Sequence, residues 1–281
     1  MRETPPAAAR DLMVDAGDGL SLHVIVSGRG SPLMLLHGFT GSTHSWDALG
    51  PALSARHMII LVDLPGHGQS TAPPDLPRYA LPRTADDVAR VLDVLGVERS
   101  AVLGYSLGGR AALHLAVQHP ARVSALVLEG SSAGIADEAE RERRSVSDAA
   151  LADRIERDGV ASFVDQWEAL PLWHSQGVLP APTRDRLRAQ RLANRADGLA
   201  RSLRGAGVGT QAPLHGRLSH LSMPVMLVAG ALDDRYVEQG RLMQRAIPGA
   251  RLVEVQDAGH AVHLERPAEL ATVVIDFLDG R

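Results

Sequence analysis

A serine held between glycines is the residue in this sequence best placed to do chemistry. Gly104-Tyr105-Ser106-Leu107-Gly108 fits the pattern G-x-S-x-G. The apolar run before it, Ala101 to Leu103, reads as a strand, and Arg110 to Val117 after it reads as a helix. A serine on a sharp strand-to-helix turn is a nucleophile elbow. The flanking glycines are needed because a Cβ has no room in so tight a turn. A serine hydroxyl alone is a poor base and a poor nucleophile. It needs a histidine to take its proton, and a carboxylate to fix the imidazole tautomer and stabilise the imidazolium.

Two later strand ends offer those partners. Val225 to Ala229 runs into Gly230-Ala231-Leu232-Asp233-Asp234, and Arg251 to Val255 is followed by Asp257-Ala258-Gly259-His260. Ser106, Asp233 and His260 are therefore the expected catalytic triad. Asp234 competes with its neighbour, although the spacing Gly230-x-x-Asp233 favours Asp233. Glu129, at the end of the apolar run Ser124 to Leu128, is a third candidate acid. Met34-Leu35-Leu36-His37-Gly38-Phe39 is another apolar strand, ending in His-Gly. It offers the backbone N–H of Phe39 which, with that of Leu107, would form an oxyanion hole. His37 and His67 sit in turns and are expected to bond to backbone. His260-x-x-His263-x-Glu265 has the look of a metal cluster, but the triad already uses His260. No metal and no cofactor is expected.

The elements that must hold these residues alternate. Leu20 to Val26, Met34 to Leu36 and Met58 to Val62 read as strands, and Val88, Val91, Leu92 and Leu95 give Thr84 to Leu95 a helical stripe. Strands alternating with helices imply an α/β fold with a mostly parallel sheet covered on both faces. The rhythm breaks between Ala133 and Leu214, where no strand pattern is found. Glu138 to Arg157, Phe163 to Trp173, Arg184 to Ala193 and Gly198 to Arg204 read as helices, with Glu140–Arg144 and Asp153–Arg157 as i,i+4 pairs. Residues 1–132 and 215–281 are thus expected to form one core, with 133–214 a helical cap inserted over its active site.

Composition narrows the function class. All 29 basic residues are arginine, there is no cysteine, and the formal charge of −4 gives no general pull toward nucleic acid. Disulfide and thiolate-metal chemistry are excluded. The segment Met1 to Arg10 lacks an apolar core of signal-peptide length, and no stretch approaches the ~18 apolar residues of a membrane span. A cytoplasmic location is the expectation. The cap carries twelve arginines and twelve acids, most of which should form a solvated, ion-paired surface. Arg110 is different. It lies four residues past Ser106 on the elbow helix, where a cation opposes the helix dipole, so a functional role near the active-site mouth is expected.

Gly104-Tyr105-Ser106-Leu107-Gly108-Gly109-Arg110 and His37-Gly38-Phe39-Thr40-Gly41-Ser42 with Trp46 resemble motifs of the 2-succinyl-6-hydroxy-2,4-cyclohexadiene-1-carboxylate synthases, an α/β-hydrolase-fold family of lyases in menaquinone biosynthesis. Three cap strings add to the resemblance. They are Leu170-Pro171-Leu172-Trp173, Gln190-Arg191-Leu192-Ala193-Asn194, and Ser202-Leu203-Arg204-Gly205-Ala206-Gly207-x-Gly209-x-Gln211. His215 and Ala231 depart from the family pattern, at an expected aromatic and an expected glutamate. The resemblance implies the α/β-hydrolase fold and a small anionic substrate bearing three carboxylates. It implies Arg110, Arg144 and Arg191 as carboxylate binders, with Arg141 and Arg143 as alternatives in register to Arg144, and Tyr105 and Trp167 in the pocket wall. The implied reaction is elimination of pyruvate. A carboxylesterase using the same triad, or a ligand receptor on the same fold, are the competing readings; a haloalkane dehalogenase would need aspartate at Ser106. Neither nucleic acid nor membrane is an expected partner, and a monomer or small homo-oligomer is expected.

Overall fold

A computed structural model describes residues 9–280. Most of the leader reading, made on residues 1–10, lies outside that range. Eight strands form one sheet: β1 (Arg10–Gly17), β2 (Leu20–Ser27), β3 (Ser31–Leu36), β4 (His57–Val62), β5 (Ser100–Tyr105), β6 (Val123–Glu129), β7 (Val225–Gly230) and β8 (Arg251–Val255). Their spatial order is β1-β2-β4-β3-β5-β6-β7-β8. β2 pairs antiparallel with β1 and β4, and every pair from β4 onward is parallel.

The parallel strands are apolar almost throughout because both faces are covered. The period of two survives as a sorting between two cores. Met34, Leu36, Val102, Leu126, Leu128 and Leu227 face one layer, while Leu33, Leu35, Leu103, Val127 and Val228 face the other. The helices that cover the sheet are α1 (Gly50–Ser54), α2 (Leu81–Val94) and α3 (Leu107–Gln118) in the first half of the chain. β1 was not anticipated. It is an edge strand of which only Val14 is buried, so it carries little apolar signal.

Between β6 and β7 the described residues contain no strand. They form α4 (Glu138–Glu168), α5 (Ala181–Leu192) and α6 (Ala196–Ala206), with a 3-10 stretch, Pro171–Val178, before α5. The Leu214 N–H donates to the Ala133 carbonyl at 2.8 Å, so this helical segment leaves and rejoins the core at one point. Gly159, at φ 81°, breaks α4 in two. Ala152, Ile155, Phe163, Val164, Leu199, Ala200 and Leu203 give α4 and α6 a small core of their own. Each large apolar side chain buried there contributes roughly 1.5–3 kcal/mol. Phe39, from the turn after β3, packs against that cluster and links it to the sheet.

The anticipated pairs Glu140–Arg144 and Asp153–Arg157 do not form. Arg144 instead takes the buried Asp148 at 2.7 Å, Arg157 takes Asp158, and Asp153 is held by Arg204 of α6. Only Asp153 finds its partner elsewhere in the fold, while both arginines take another acid on their own helix, an easy exchange for exposed i,i+4 pairs worth only about 0.2–0.5 kcal/mol. The chain closes with α7 (Asp234–Ala246), α8 (Val262–Glu265) and α9 (Pro267–Asp279). No described helix is long and apolar enough to cross a membrane.

Candidate active site

The elbow is built by close approach. Ser106 follows β5 and caps α3 with φ 50° and ψ −107°, a region a non-glycine residue occupies only under strain of about 1–3 kcal/mol. Its N–H donates to the Glu129 carbonyl at 2.9 Å, and its carbonyl accepts from the Arg110 N–H at 3.0 Å. A Cβ on Gly104 would run into the Gly108 carbonyl, and one on Gly108 into the Leu36 carbonyl. These glycines let α3 descend onto β3 and β5, which lifts Ser106 above the sheet edge.

Asp233 and His260 reach the same spot from the ends of β7 and β8. His260 Nδ1 lies 2.8 Å from Asp233 Oδ2, and His260 Nε2 lies 3.2 Å from Ser106 Oγ. An ionised carboxylate only accepts, so Nδ1 carries the proton and Nε2 is left to accept from the serine hydroxyl. Asp233 is 8% exposed and His260 4%. The other oxygen of Asp233 caps α7 by accepting from the Tyr236 N–H at 3.3 Å. Asp234 is exposed on the first turn of α7. Glu129 accepts from both the backbone N–H and Nδ1 of His263, at 3.0 and 2.8 Å.

Glu265 accepts from the Gly259 N–H at 2.7 Å, so His260, His263 and Glu265 turn to three different partners. His37 and His67 bond to backbone. His37 Nε2 accepts from the Leu64 N–H while Nδ1 donates to the Gly38 carbonyl, and His67 Nδ1 donates to the Pro65 carbonyl.

Two backbone donors stand beside the serine. Leu107 opens α3, and the first N–H groups of a helix have no partner within it. Among the described residues, neither the Leu107 nor the Phe39 N–H has a hydrogen-bond acceptor. Phe39 and Leu107 line one cavity of about 160 Å³ together with Ser106 and His260. Tyr105, Arg110, Arg144 and Trp167 line the same cavity. A larger groove of about 520 Å³ lies between the 3-10 turn Thr43–Trp46 and α5, and it contains none of the triad.

Arg110 is not at the mouth, as its sequence position suggests, but buried in the cavity wall at 7% exposure. It donates to the Ala206 carbonyl at 2.8 Å and to Gln211 Oε1 at 3.3 Å. Among the described residues no carboxylate pairs with it. Burial, more than any neighbour, pushes its guanidinium down to about 10, which leaves it charged at neutral pH. Burial also raises the Tyr105 hydroxyl well above its ordinary range, with Glu129 adding to the effect.

Arg144 reaches the cavity, whereas Arg191 does not. The Arg191 guanidinium donates to Glu168 at 2.9 Å and to Gln176 at 3.2 Å, and lies 5.3 Å from the Trp173 ring. It lines an adjacent crevice that shares Phe39, Tyr105 and Trp173 with the serine cavity. Its carboxylate partner is supplied by the protein, at the end of α4, and that partner holds it back.

Asp148, Leu151, Arg235 and Tyr236 line the cavity without having stood out in the sequence, and Trp173 stood out only as part of a string. Asp148 lies one turn after Arg144, at the i,i+4 spacing that signals an ion pair. Tyr236, 4.5 Å from the His260 ring, lies only three residues past Asp233. Trp173 sits at the end of the Leu170-Pro171-Leu172-Trp173 string, 5.7 Å from His260.

Residues 31–267 match the family described as alpha/beta hydrolase fold. A Bacillus subtilis protein provisionally named 2-succinyl-6-hydroxy-2,4-cyclohexadiene-1-carboxylate synthase is 40% identical over 246 residues, covering 88% of this chain and 89% of that one. The protein of that name from Pectobacterium atrosepticum is 35% identical over 250 residues, covering 88% and 93%. Among solved structures, MenH from S. aureus superposes with a TM-score of 0.86 at 31% identity, covering 89% of this chain and 94% of that one. A malate-bound thermophilic esterase from Thermogutta terrifontis gives 0.84 at 25% identity, covering 98% and 99%.

Proposed function

Because this chain belongs to the α/β-hydrolase fold and, within it, to the family of 2-succinyl-6-hydroxy-2,4-cyclohexadiene-1-carboxylate synthases, we propose that it is the lyase of that name in menaquinone biosynthesis. It eliminates pyruvate from 2-succinyl-5-enolpyruvyl-6-hydroxy-3-cyclohexene-1-carboxylate. The observation that carries this reading is Arg110. A buried guanidinium without a protein carboxylate is costly unless an anion arrives to pair with it. It lines the cavity that holds Ser106 and His260, so that anion is part of the substrate. Arg144 supplies a second cation in the same cavity, and Trp167 Nε1 is a buried donor without an acceptor in the protein.

In this mechanism His260 Nε2 takes the Ser106 proton and Asp233 steadies the imidazolium. Ser106 Oγ then removes the ring proton next to the succinyl carbonyl. Charge develops on that carbonyl oxygen and is met by the N–H groups of Phe39 and Leu107, donors already oriented before reaction. The electrons move through the ring to form the new double bond and expel the enolpyruvyl oxygen. The expelled enolate takes up the proton held by His260 and becomes pyruvate, which leaves His260 neutral and Ser106 carrying the ring proton. The serine acts as a base throughout, so no acyl-enzyme forms.

The triad equally permits ester hydrolysis through an acyl-enzyme, and the similarity to a malate-bound esterase favours that second reading. One experiment separates the two: purified protein is assayed for pyruvate release from the enolpyruvyl substrate and for hydrolysis of nitrophenyl acetate. The lyase reading requires pyruvate release to exceed ester turnover in kcat/KM. Ester turnover without pyruvate would replace it with the esterase.

A further inference from the structure

We propose that Asp148 is a positioning residue that sets the Arg144 guanidinium for an anionic substrate; the inference rests on the anionic substrate of the preceding reading. Asp148 is 4% exposed and lines the same cavity as Ser106 and Arg110. Its Oδ1 accepts from Arg144 Nε at 2.7 Å, and its Oδ2 accepts from the Gly209 N–H at 3.5 Å. The bond uses the one guanidinium nitrogen that sits on the side of the fork. Among the described residues, the two terminal nitrogens of Arg144 make no hydrogen bond. They form an end-on fork of the shape that takes both oxygens of a carboxylate.

The backbone around Asp148 is built for this contact. A Cβ on Gly207 would lie 2.7 Å from Asp148 Oδ2, and one on Gly209 would strike the backbone of Arg144 and Ser145. The glycines of Gly205-Ala206-Gly207-Val208-Gly209 therefore let α6 and its exit loop close over this turn of α4. The carboxylate is caged, while the Arg144 side chain stays 38% exposed toward the cavity.

A carboxylate in the wall of an anion pocket is electrostatically adverse to the ligand. That gives the inference a sign. If Asp148 acted only through its charge, removing it would tighten anion binding. If it holds Arg144 in register, removing it weakens binding despite the gain in positive charge.

The test uses the full-length enzyme and four variants: Asp148→Ala, Asp148→Asn, Arg144→Ala and the double variant Asp148→Ala/Arg144→Ala. Succinate affinity is measured by calorimetry, and kcat and KM by pyruvate release. Asp148→Ala should raise the succinate Kd and the KM roughly tenfold with kcat nearly unchanged, and should add almost nothing in the Arg144→Ala background. Asp148→Asn, which keeps an acceptor oxygen without the charge, should recover much of the loss and serves if the alanine variant fails to fold. Tighter succinate binding by Asp148→Ala or by Asp148→Asn overturns the proposal. So does a loss that persists in full without Arg144. If the wild-type enzyme releases no pyruvate, the lyase reading falls, while the succinate pattern alone decides the role of Asp148.

Discussion

Two buried histidine–carboxylate pairs lie side by side at the carboxyl end of the sheet, and only one of them meets the elbow serine. His260 meets Asp233 and His263 meets Glu129, each at 2.8 Å through Nδ1. The Tyr105 ring lies between them, 5.3 Å from His260 and 4.4 Å from His263. By chemistry and burial the pairs are near equivalents. They differ in what the rest of each ring meets. His260 presents Nε2 to Ser106 and the cavity, whereas His263 packs against Tyr105 and, at 4.9 Å, Trp46, and lines only the small adjacent crevice, which holds no serine of the elbow. Glu129 also anchors the elbow, since its carbonyl accepts from the Ser106 N–H. A histidine–carboxylate pair is thus a relay only where its outer nitrogen has a reactive partner; without one, the same pair is a brace.

Substitutions should separate the two pairs sharply. Ser106→Ala and His260→Ala should each lower kcat for pyruvate release roughly 10⁴- to 10⁶-fold, with the double variant little worse, because relay members act as a unit. Asp233→Asn should be far more damaging than Asp234→Asn. Near wild-type turnover by Ser106→Ala would break the relay. His263→Gln should leave the relay working but remove the side-chain donor to the Glu129 carboxylate, which keeps the His263 backbone N–H. The expected cost is about 1–3 kcal/mol of stability, read in urea titrations, with kcat of the folded enzyme close to wild type. A kcat collapse as deep as that of His260→Ala would make the second pair catalytic too.

The elbow and the meeting of Ser106, Asp233 and His260 were legible in the sequence because these residues lie at strand ends, where cramped turns demand glycine and the apolar runs announce themselves. The second pair was not, although both its members were noticed: His263 as part of a false metal cluster, Glu129 as a spare acid. A glutamate ending an otherwise apolar strand signals a buried partner, but only the packing of α8 against β6 names it. The cap shows the same limit. Its helices follow from lost strand rhythm, yet Arg191 is turned aside by Glu168, 23 positions away, and sequence spacing does not see that. The break at Gly159 falls in the gap that the sequence leaves between the helices Glu138 to Arg157 and Phe163 to Trp173.

Arg110→Ala tests the cavity rather than the relay. Elimination should lose roughly 2–4 kcal/mol of transition-state binding, the cost of leaving a desolvated carboxylate unpaired. Arg110→Lys should restore only part of it, lacking the planar fork. Hydrolysis of a neutral nitrophenyl ester should barely change. Equal losses in both reactions would make Arg110 structural.

The smallest expected effect concerns histidines outside both pairs. Burial is the main reason that the His67 imidazole is lowered to about 3 from an ordinary 6.5, with His37 adding to it. A histidine held neutral in the fold protonates more easily when unfolded. Its contribution is therefore complete above pH 6.5 and is lost as pH falls toward 3. At pH 5 the loss from His67 alone should be about 2 kcal/mol. Denaturant midpoints should fall between pH 7 and pH 5, and His67→Gln should flatten that slope. An unchanged slope would show that His67 does not govern it.

The aromatic wall of the cavity also gives the enzyme an optical signal of its own. The chain has three tryptophans. Trp167 and Trp173 stand 5.6 Å apart in the cavity lining, and Trp46 lies fully buried beside His263. Substrate entering the cavity changes the polarity around two of the three fluorophores and leaves the third as a fixed reference. Ligand occupancy is then readable from intrinsic emission, without a label, with Trp46→Phe removing only background and Trp167→Phe removing signal.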